Sequence, residues 1–515
     1  MMQKIENFGI TSPIAQFLQK DKHDFTREDM MSVVAEFGIK RFTFHYTALD
    51  GKIKELKIPI LSRNQAEMLL TDGERLDGSS LFKGIVDAAK SDLYVLPLFR
   101  TAFINPFDES SLDFMCRFLT VDGELAGYTP DSVAQNAARN LKEKTSIELY
   151  AMAELEFFLI GEEETGLFPN ESQRAYHQAA PYSKTTEVMS EILMTISEVV
   201  GNVKYAHNEV GALNNIVSDL PELNGKAAEQ VEIEFLPAPL EEVGDIISLA
   251  KWIINNIAYQ FGYTVTFVPK LEVGHAGSGM HFHMALMKDG KNIMLNDKSV
   301  LSDEARMLIG GLCTYASSIT AFGNTVAAAY LRLVPHQEAP TKICWSECNR
   351  SAMIRVPLGW ANVSELTNKI NPQQTTRLGR KDARQTVEIR TPDGSAFPQF
   401  VLAGLAMAAE WGLTHQKEAL EVAAKNYVSG DVHSKENEAI LKDLPTCCDE
   451  SADILMQNKD LYLRDGIFTE LILKYFFDML KGENDKGLDR KLVALSEEEK
   501  LKESRKVMHR AIHKF

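Results

Sequence analysis

The chain has 515 residues, 45% of them hydrophobic, and a formal charge of −17. It is long enough to bury a large core and too long for one ordinary compact unit. The acidic balance argues against a nucleic-acid binder, which needs a basic face; six cysteines without a CxxC pair point to reduced thiols in a cytoplasmic setting rather than to a disulfide framework.

At the N-terminus, MMQKIENFGITSPIAQFLQK lacks the apolar run of a secretory signal. A helix is expected over 27–37. RFTFHYTALDGKIKELKIPI (41–60) alternates apolar and polar residues on both sides of Asp50-Gly51, which predicts a hairpin. Continued through SDLYVLPLFRTAFINPF (91–107), this reads as a small α+β domain. A break falls in GELAGYTPDS (123–132), and DSVAQNAARNLKEKT then reads as a helix. Beyond it, short strands alternate with helices expected near 184–200, 240–261 and 303–322. The strands are AELEFFLI, VEIEFLP, MHFHMAL and QTVEIRTP, and they predict a large α+β domain on an antiparallel sheet. FVLAGLAMAAEWGL (400–413) is broken by Glu410, short of the roughly 20 apolar residues of a membrane span, so a buried helix fits it better. The last stretch, 494–515, is charged with apolar residues at helical spacing; a solvated terminal helix is expected, with an oligomer strap as the alternative.

Chemistry enters through a repeated spacing. Glu154 and Glu156, Glu232 and Glu234, His281 and His283, and Glu388 and Arg390 are each two residues apart in apolar, strand-forming surroundings. Positions i and i+2 of a strand face one way. A buried carboxylate costs several kcal/mol unless it is paired or metal-bound. One such strand could be an exposed face; four in one chain suggest a cavity lined with carboxylates and imidazoles. That ligand set is oxygen-rich and lacks sulfur, which suits Mg²⁺ or Mn²⁺. Arg332, Arg350, Arg355 and Arg390 lie in largely apolar motifs and match carboxylate or phosphate recognition. There is no HExxH and no GxxxxGK[ST], so neither a zinc protease nor a P-loop enzyme is supported. Divalent metals with arginines and no covalent nucleophile describe metal-assisted phosphoryl transfer.

LDGSS (76–80), AELEFF, HNEV (207–210), GSGMHFH, RLVPHQEAP, NRSAMIRVP and VEIRTPDGSAFP, in this order, resemble the bacterial type I glutamine synthetases over roughly residues 39–480. The resemblance implies an N-terminal β-grasp domain, taken as 1–127, and a catalytic domain of an antiparallel sheet flanked by helices, 128–515. It also implies a homo-oligomer, a dodecamer of two hexameric rings with active sites between subunits, and ATP as co-substrate. Carried over by motif, Glu156, Glu209 and Glu232 would hold one metal, and Glu154, His281 and Glu388 a second. Arg332 and Arg390, with Gly277, would receive glutamate; Arg350, Arg355 and His283 would face ATP; Glu338 would sit on a flap. Asp77, Ser80, Tyr176 and Glu209 would draw in ammonium, Asp77 acting across the subunit boundary.

The implied reaction joins ammonia to glutamate; a ligase for a larger amine on the same fold, or an inactive binding protein, are the competitors. Departures from the family pattern are Ala276 for asparagine, Ala285 for serine, Leu331 for lysine and Phe397 for asparagine. The connection between Glu209 and Glu232 is longer than usual and reads as a loop. Lys442 stands at the tyrosine that some members carry for adenylylation, so that control is not expected.

Overall fold

The computed structural model describes residues 8–87, 91–162, 168–334, 339–359, 363, 365–377 and 384–515. Among these, a short helix Pro13–Leu18 precedes the expected one, Arg27–Glu36, which is started by a capping box in which Thr26 and Asp29 satisfy each other's backbone N–H. The expected hairpin follows as antiparallel strands Arg41–Thr47 and Ile53–Pro59, and Gly51 takes a positive φ of 74° in its turn. Ser111–Leu119 runs parallel to the first of these and closes the centre of the sheet. The 91–107 stretch is less regular than expected. Asp92–Pro97 pairs, but a 3-10 turn at Phe99–Thr101 separates it from a two-residue strand. Pro97 has no N–H to continue the ladder. This is the β-grasp domain.

The large sheet runs, edge to edge, through Trp345–Glu347, Ile354–Val356, Val387–Ile389, Met280–Lys288, Glu148–Gly161, Ala227–Phe235 and Val203–Leu213. It is antiparallel as expected, except for the parallel first pair. Leu155, Phe157, Ile233, Phe282 and Ile389 alternate with the charged positions and are buried. They put the core on one face and leave the other for chemistry. Helices Pro130–Thr145, Thr186–Val199 and Leu240–Gln260 pack on this sheet. The two domains are tied by Arg117, which bonds Asp245 at 2.6 Å and Asp131 at 3.3 Å.

The apolar 400–413 stretch is a buried helix, Pro398–Thr414, packed between Pro130–Thr145 and Asp303–Gly323. A Cβ at Gly412 would strike the Met307 carbonyl, so glycine lets the two backbones touch. Glu410 does not interrupt this helix. It is 2% exposed and meets Arg464 at 2.6 Å and Lys144 at 3.3 Å. Arg464→Ala would remove the partner of Glu410 Oε2 and leave Lys144 and the Thr414 hydroxyl at Oε1; a loss of about 3 kcal/mol in stability is expected, read as a lowered denaturation midpoint. An unchanged midpoint would mean that Lys144 alone satisfies the charge. None of the described helices is long and apolar enough to cross a membrane.

The connection between Glu209 and Glu232 is a loop over 214–226, as expected, and the flanking strands Val203–Leu213 and Ala227–Phe235 extend into it from both sides. That loop is pinned by backbone bonds between Ile216 and both Lys226 and Gly225, and it buries Ile216 and Leu223. One expectation is corrected: the C-terminal segment is not a solvated helix. Helix Glu497–His509 buries Ser504, Met508 and His509, and the chain then inserts Ala511 and Ile512 into a small apolar cluster with Ile216, Leu223 and Leu271. Its apolar residues have a local partner, which the charged composition concealed.

Candidate active site

Backbone pairing brings the two-residue motifs together. Glu154 lies opposite both Glu234 and His281, Glu156 opposite Glu232, Glu232 opposite His207, and His283 opposite Glu388. Five adjacent strands thus put their charged side chains on one face. The face floors a cavity of about 470 Å³ that Glu154, Glu156, Glu209, Glu232 and His281 line. A larger cavity of about 620 Å³ lies by Arg41 and Trp252; the carboxylate–imidazole groups gather at the smaller one.

Glu154 is the hub. Its Oε2 meets His281 Nδ1 and its Oε1 meets His283 Nε2, each at 2.8 Å. Glu388, 1% exposed, approaches His281 Nδ1 at 3.5 Å and accepts from Arg390 Nε at 3.0 Å and Arg355 Nη1 at 2.8 Å. On the other side His207 lies 3.3 Å from Glu232 and 3.9 Å from Glu209. Glu156 accepts from Gln230 Nε2 at 2.8 Å and from the Gly279 N–H at 3.0 Å.

The electrostatics are those of excess negative charge in a confined space. Burial, and then the carboxylates of Glu154, Glu156 and Glu209, push Glu232 up to about 8 against the pull of His207. Burial disfavours a charged His283, but Glu154 and Glu388 raise it to about 9. Burial likewise opposes ionised Glu154, yet His283 and His281 hold it well below the usual carboxylate range. Protons are thus drawn to positions between carboxylates where a cation would serve equally. Three groups have ligand atoms within 4.8 Å of one another: Glu154–His281–Glu388, His207–Glu209–Glu232 and Glu154–Glu234–His283. All are oxygen-rich with one imidazole, and the residues fit divalent cations of the Mg²⁺ or Mn²⁺ kind.

Arg332 lies under this face, 4% exposed, donating through Nη1 to the Thr391 carbonyl at 3.0 Å and through Nη2 to that of Arg390 at 3.2 Å. Gly277 is packed upon it. A Cβ there would come within 2.5 Å of the Pro269 carbonyl and 3.0 Å of Arg332 Cγ, so this position must be glycine. Arg390 keeps one buried donor, Nη1, without a partner.

Other expected residues fall as follows. Tyr176 and Arg350 line the cavity. Arg355 reaches Glu388 instead of open space. His283, expected toward a nucleotide, is 5% exposed and engaged by Glu154 and Thr386. Asp77 and Ser80 are exposed on the small domain and do not line the cavity of their own chain; Ser80 and Ser79 donate to Asp77 and hold its carboxyl well below the usual range. Glu338 lies outside the described residues. Sequence reasoning assigned no role to His207, although it stands two residues from Glu209, or to Glu234, two from Glu232; the same spacing rule applies to both. Gln230 and Gln173 carried no such signal. Gln173 Oε1 accepts from the Ala276 N–H at 2.6 Å, and its Nε2 meets His275 Nδ1 at 3.0 Å.

A β-grasp sheet joined to a sheet bearing clustered carboxylates and imidazoles beside buried arginines can hold cations next to anionic groups. The glutamine synthetase catalytic-domain profile matches residues 127–490 and the glutamine synthetase β-grasp profile residues 38–121. The chain belongs to the glutamine synthetase family and is a ligase of that family. The glutamine synthetase of Mycolicibacterium smegmatis is 27% identical over 497 residues, spanning 89% of this chain and 95% of that one. That of Escherichia coli is 28% identical over 495 residues, spanning 89% and 96%. Among solved structures, a GmaS/ADP complex superposes with a TM-score of 0.70 at 21% identity, over 91% of this chain and 97% of that one. Plasmodium falciparum glutamine synthetase gives 0.70 at 18%, over 92% and 98%.

Proposed function

We propose that this protein joins ammonia to the γ-carboxylate of L-glutamate, cleaving ATP to ADP and phosphate by way of γ-glutamyl phosphate. The observation that carries the reading is the register of five strands, which gathers eight carboxylate and imidazole groups on one face beside Arg332. In this reading residues 1–127 and 128–515 are the two domains of a cytoplasmic dodecamer.

In this reading one metal would be held by Glu156, Glu209 and Glu232, which line the cavity, and the other by Glu154, His281 and Glu388, whose ligand atoms lie within 4.8 Å of one another. Mg²⁺ or Mn²⁺ bound there would offset charge on the phosphate oxygens. Arg332 and Arg390 take the glutamate carboxylate, with Gly277, packed on Arg332, close to the substrate's backbone. Arg350 and Arg355 face the phosphoryl group as it leaves ATP for the γ-carboxylate, and His283 lies on the nucleotide side. The motif resemblance gives Glu338 the role of shielding the acyl phosphate from water. Ammonium is drawn by Glu209, Tyr176 and, from the neighbouring subunit, Asp77 and Ser80. It loses a proton to this acidic pocket, and the amine nitrogen then displaces phosphate from the carbonyl.

The alternative is a γ-glutamyl ligase for a larger amine. A pocket for a small cation offers charge and hydroxyls rather than apolar walls, and Asp77, Ser80, Tyr176 and Glu209 supply these. At saturating glutamate and ATP, kcat/KM for ammonium should exceed that for methylamine, ethanolamine or putrescine by at least about tenfold. Preference for any of the three would transfer the reading to the alternative.

A further inference from the structure

The catalytic-domain profile ends at residue 490, yet helix Glu497–His509 beyond it is bonded into the wall of the cavity. His509, 3% exposed, donates from Nε2 to the Leu271 carbonyl at 2.9 Å. Its Nδ1 accepts from the Ser218 hydroxyl at 2.9 Å. One turn earlier, Arg505 Nε donates to Glu272 Oε2 at 2.8 Å. Leu271 and Glu272 belong to the irregular segment 267–278, which supplies Gly274, His275, Ala276 and Gly277 to the cavity.

Within that segment the Ser278 N–H donates to the Pro269 carbonyl at 2.9 Å and the Val273 N–H to Glu272 Oε1 at 2.8 Å, and it forms no helix or strand. Its inner end is held by Gln173, which takes the Ala276 N–H, and by Gln230, which donates to the Gly277 carbonyl at 3.1 Å. Lys270 donates to the His275 carbonyl from within the segment. A stretch with glycines at 274, 277 and 279 is conformationally permissive, so both ends must be fastened for Gly277 to stay seated on Arg332. The outer fastening is the C-terminal helix. The same helix packs against Ala327–Arg332, the short helix that carries Arg332 itself. Past the helix, the Ile512 carbonyl accepts from Thr266 Oγ1 at 2.8 Å, and Ala511 and Ile512 fill the apolar cluster beneath Leu271. The 214–226 turn closes the arrangement from the other side through Ser218. Burial lowers the pKa of His509, in keeping with a neutral ring that donates at one nitrogen and accepts at the other.

We infer that the C-terminal helix is a positioning element for the substrate-carboxylate subsite, with His509 and Arg505 clamping Leu271–Glu272 so that Gly277 and Arg332 keep their mutual geometry. This rests on the proposed function only for the identity of the substrate. Neither residue touches the substrate; both act through the backbone they hold.

The test is a set of full-length variants: Arg505→Ala, His509→Ala, the double variant, and the conservative Arg505→Lys and His509→Gln. The glutamine amide can still donate to the Leu271 carbonyl. Amide hydrogen exchange over 270–279 is measured alongside steady-state kinetics. The double variant should exchange faster across 270–279 and raise KM for glutamate about tenfold, with kcat and KM for ATP within about twofold. The conservative variants should recover most of the loss. Unchanged exchange and unchanged KM would overturn the inference. So would a uniform loss of kcat and of both KM values with a lowered melting temperature, the mark of a merely structural helix. If the wild-type chain does not turn over glutamate, the proposed function fails, while the exchange measurement still decides the clamp.

Discussion

Replacing Glu388 by glutamine should lower ATP-dependent turnover by about a thousandfold or more, on the scale of losing a charged group that stabilises a transition state. Glu388 is 1% exposed on the three-residue strand Val387–Ile389. Its two oxygens are separately employed: Oε1 takes Arg390 and approaches His281, while Oε2 takes Arg355. One carboxylate therefore completes a cation group and also orients two arginines. The amide keeps the shape but removes the charge, so the cation and both guanidinium groups lose their common partner. ADP release in a coupled assay gives the activity, and Mn²⁺ titration gives the binding. Turnover and Mn²⁺ affinity that both persist would show that the Glu154–His281–Glu388 group has been assigned wrongly.

The second large effect is a recovery. Asp77→Ala and Glu388→Gln homo-oligomers should each be nearly inactive, yet rings assembled from equal parts of the two chains should regain activity. Asp77 is exposed on the strand Glu74–Asp77 and is absent from the cavity of its own chain. The proposed ammonium site needs it, so the neighbouring subunit must supply it. Each site then draws Asp77 from one chain and Glu388 from the next. With random mixing, about one quarter of sites receive two intact contributions, and about a quarter of wild-type activity is expected. Verified mixed rings that stay inactive would place Asp77 outside the shared site and detach the ammonium assignment from the small domain.

Much of this arrangement was legible before folding. The hairpin around Asp50-Gly51, the long helices near 186, 240 and 303, and the four two-residue motifs all follow from periodicities of 2 and 3.6 residues, which are local properties. The C-terminal segment misled for a complementary reason. Its composition is charged, and the apolar cluster that receives Ala511 and Ile512 is built largely from residues near 160, 216, 271 and 326, far away in sequence. The buried helix over 400–413 was expected from its composition; the partners of its Glu410, Arg464 and Lys144, come from elsewhere in the chain.

The sequence by itself determined which side chains share a strand face: Glu154 with Glu156, Glu232 with Glu234, His281 with His283, because i and i+2 must point alike. It determined the family too, since seven motifs in order need no coordinates. Only the tertiary structure decided which of those pairs meet. Strand register places Glu154 between His281 and His283, brings His207 to Glu232, and aligns Glu388 with His283. Register arises from the packing of strands that are separate in sequence, on which spacing within any one motif is silent. The seating of Gly277 on Arg332, and of the C-terminal helix on Leu271, belongs to the same class of non-local contact.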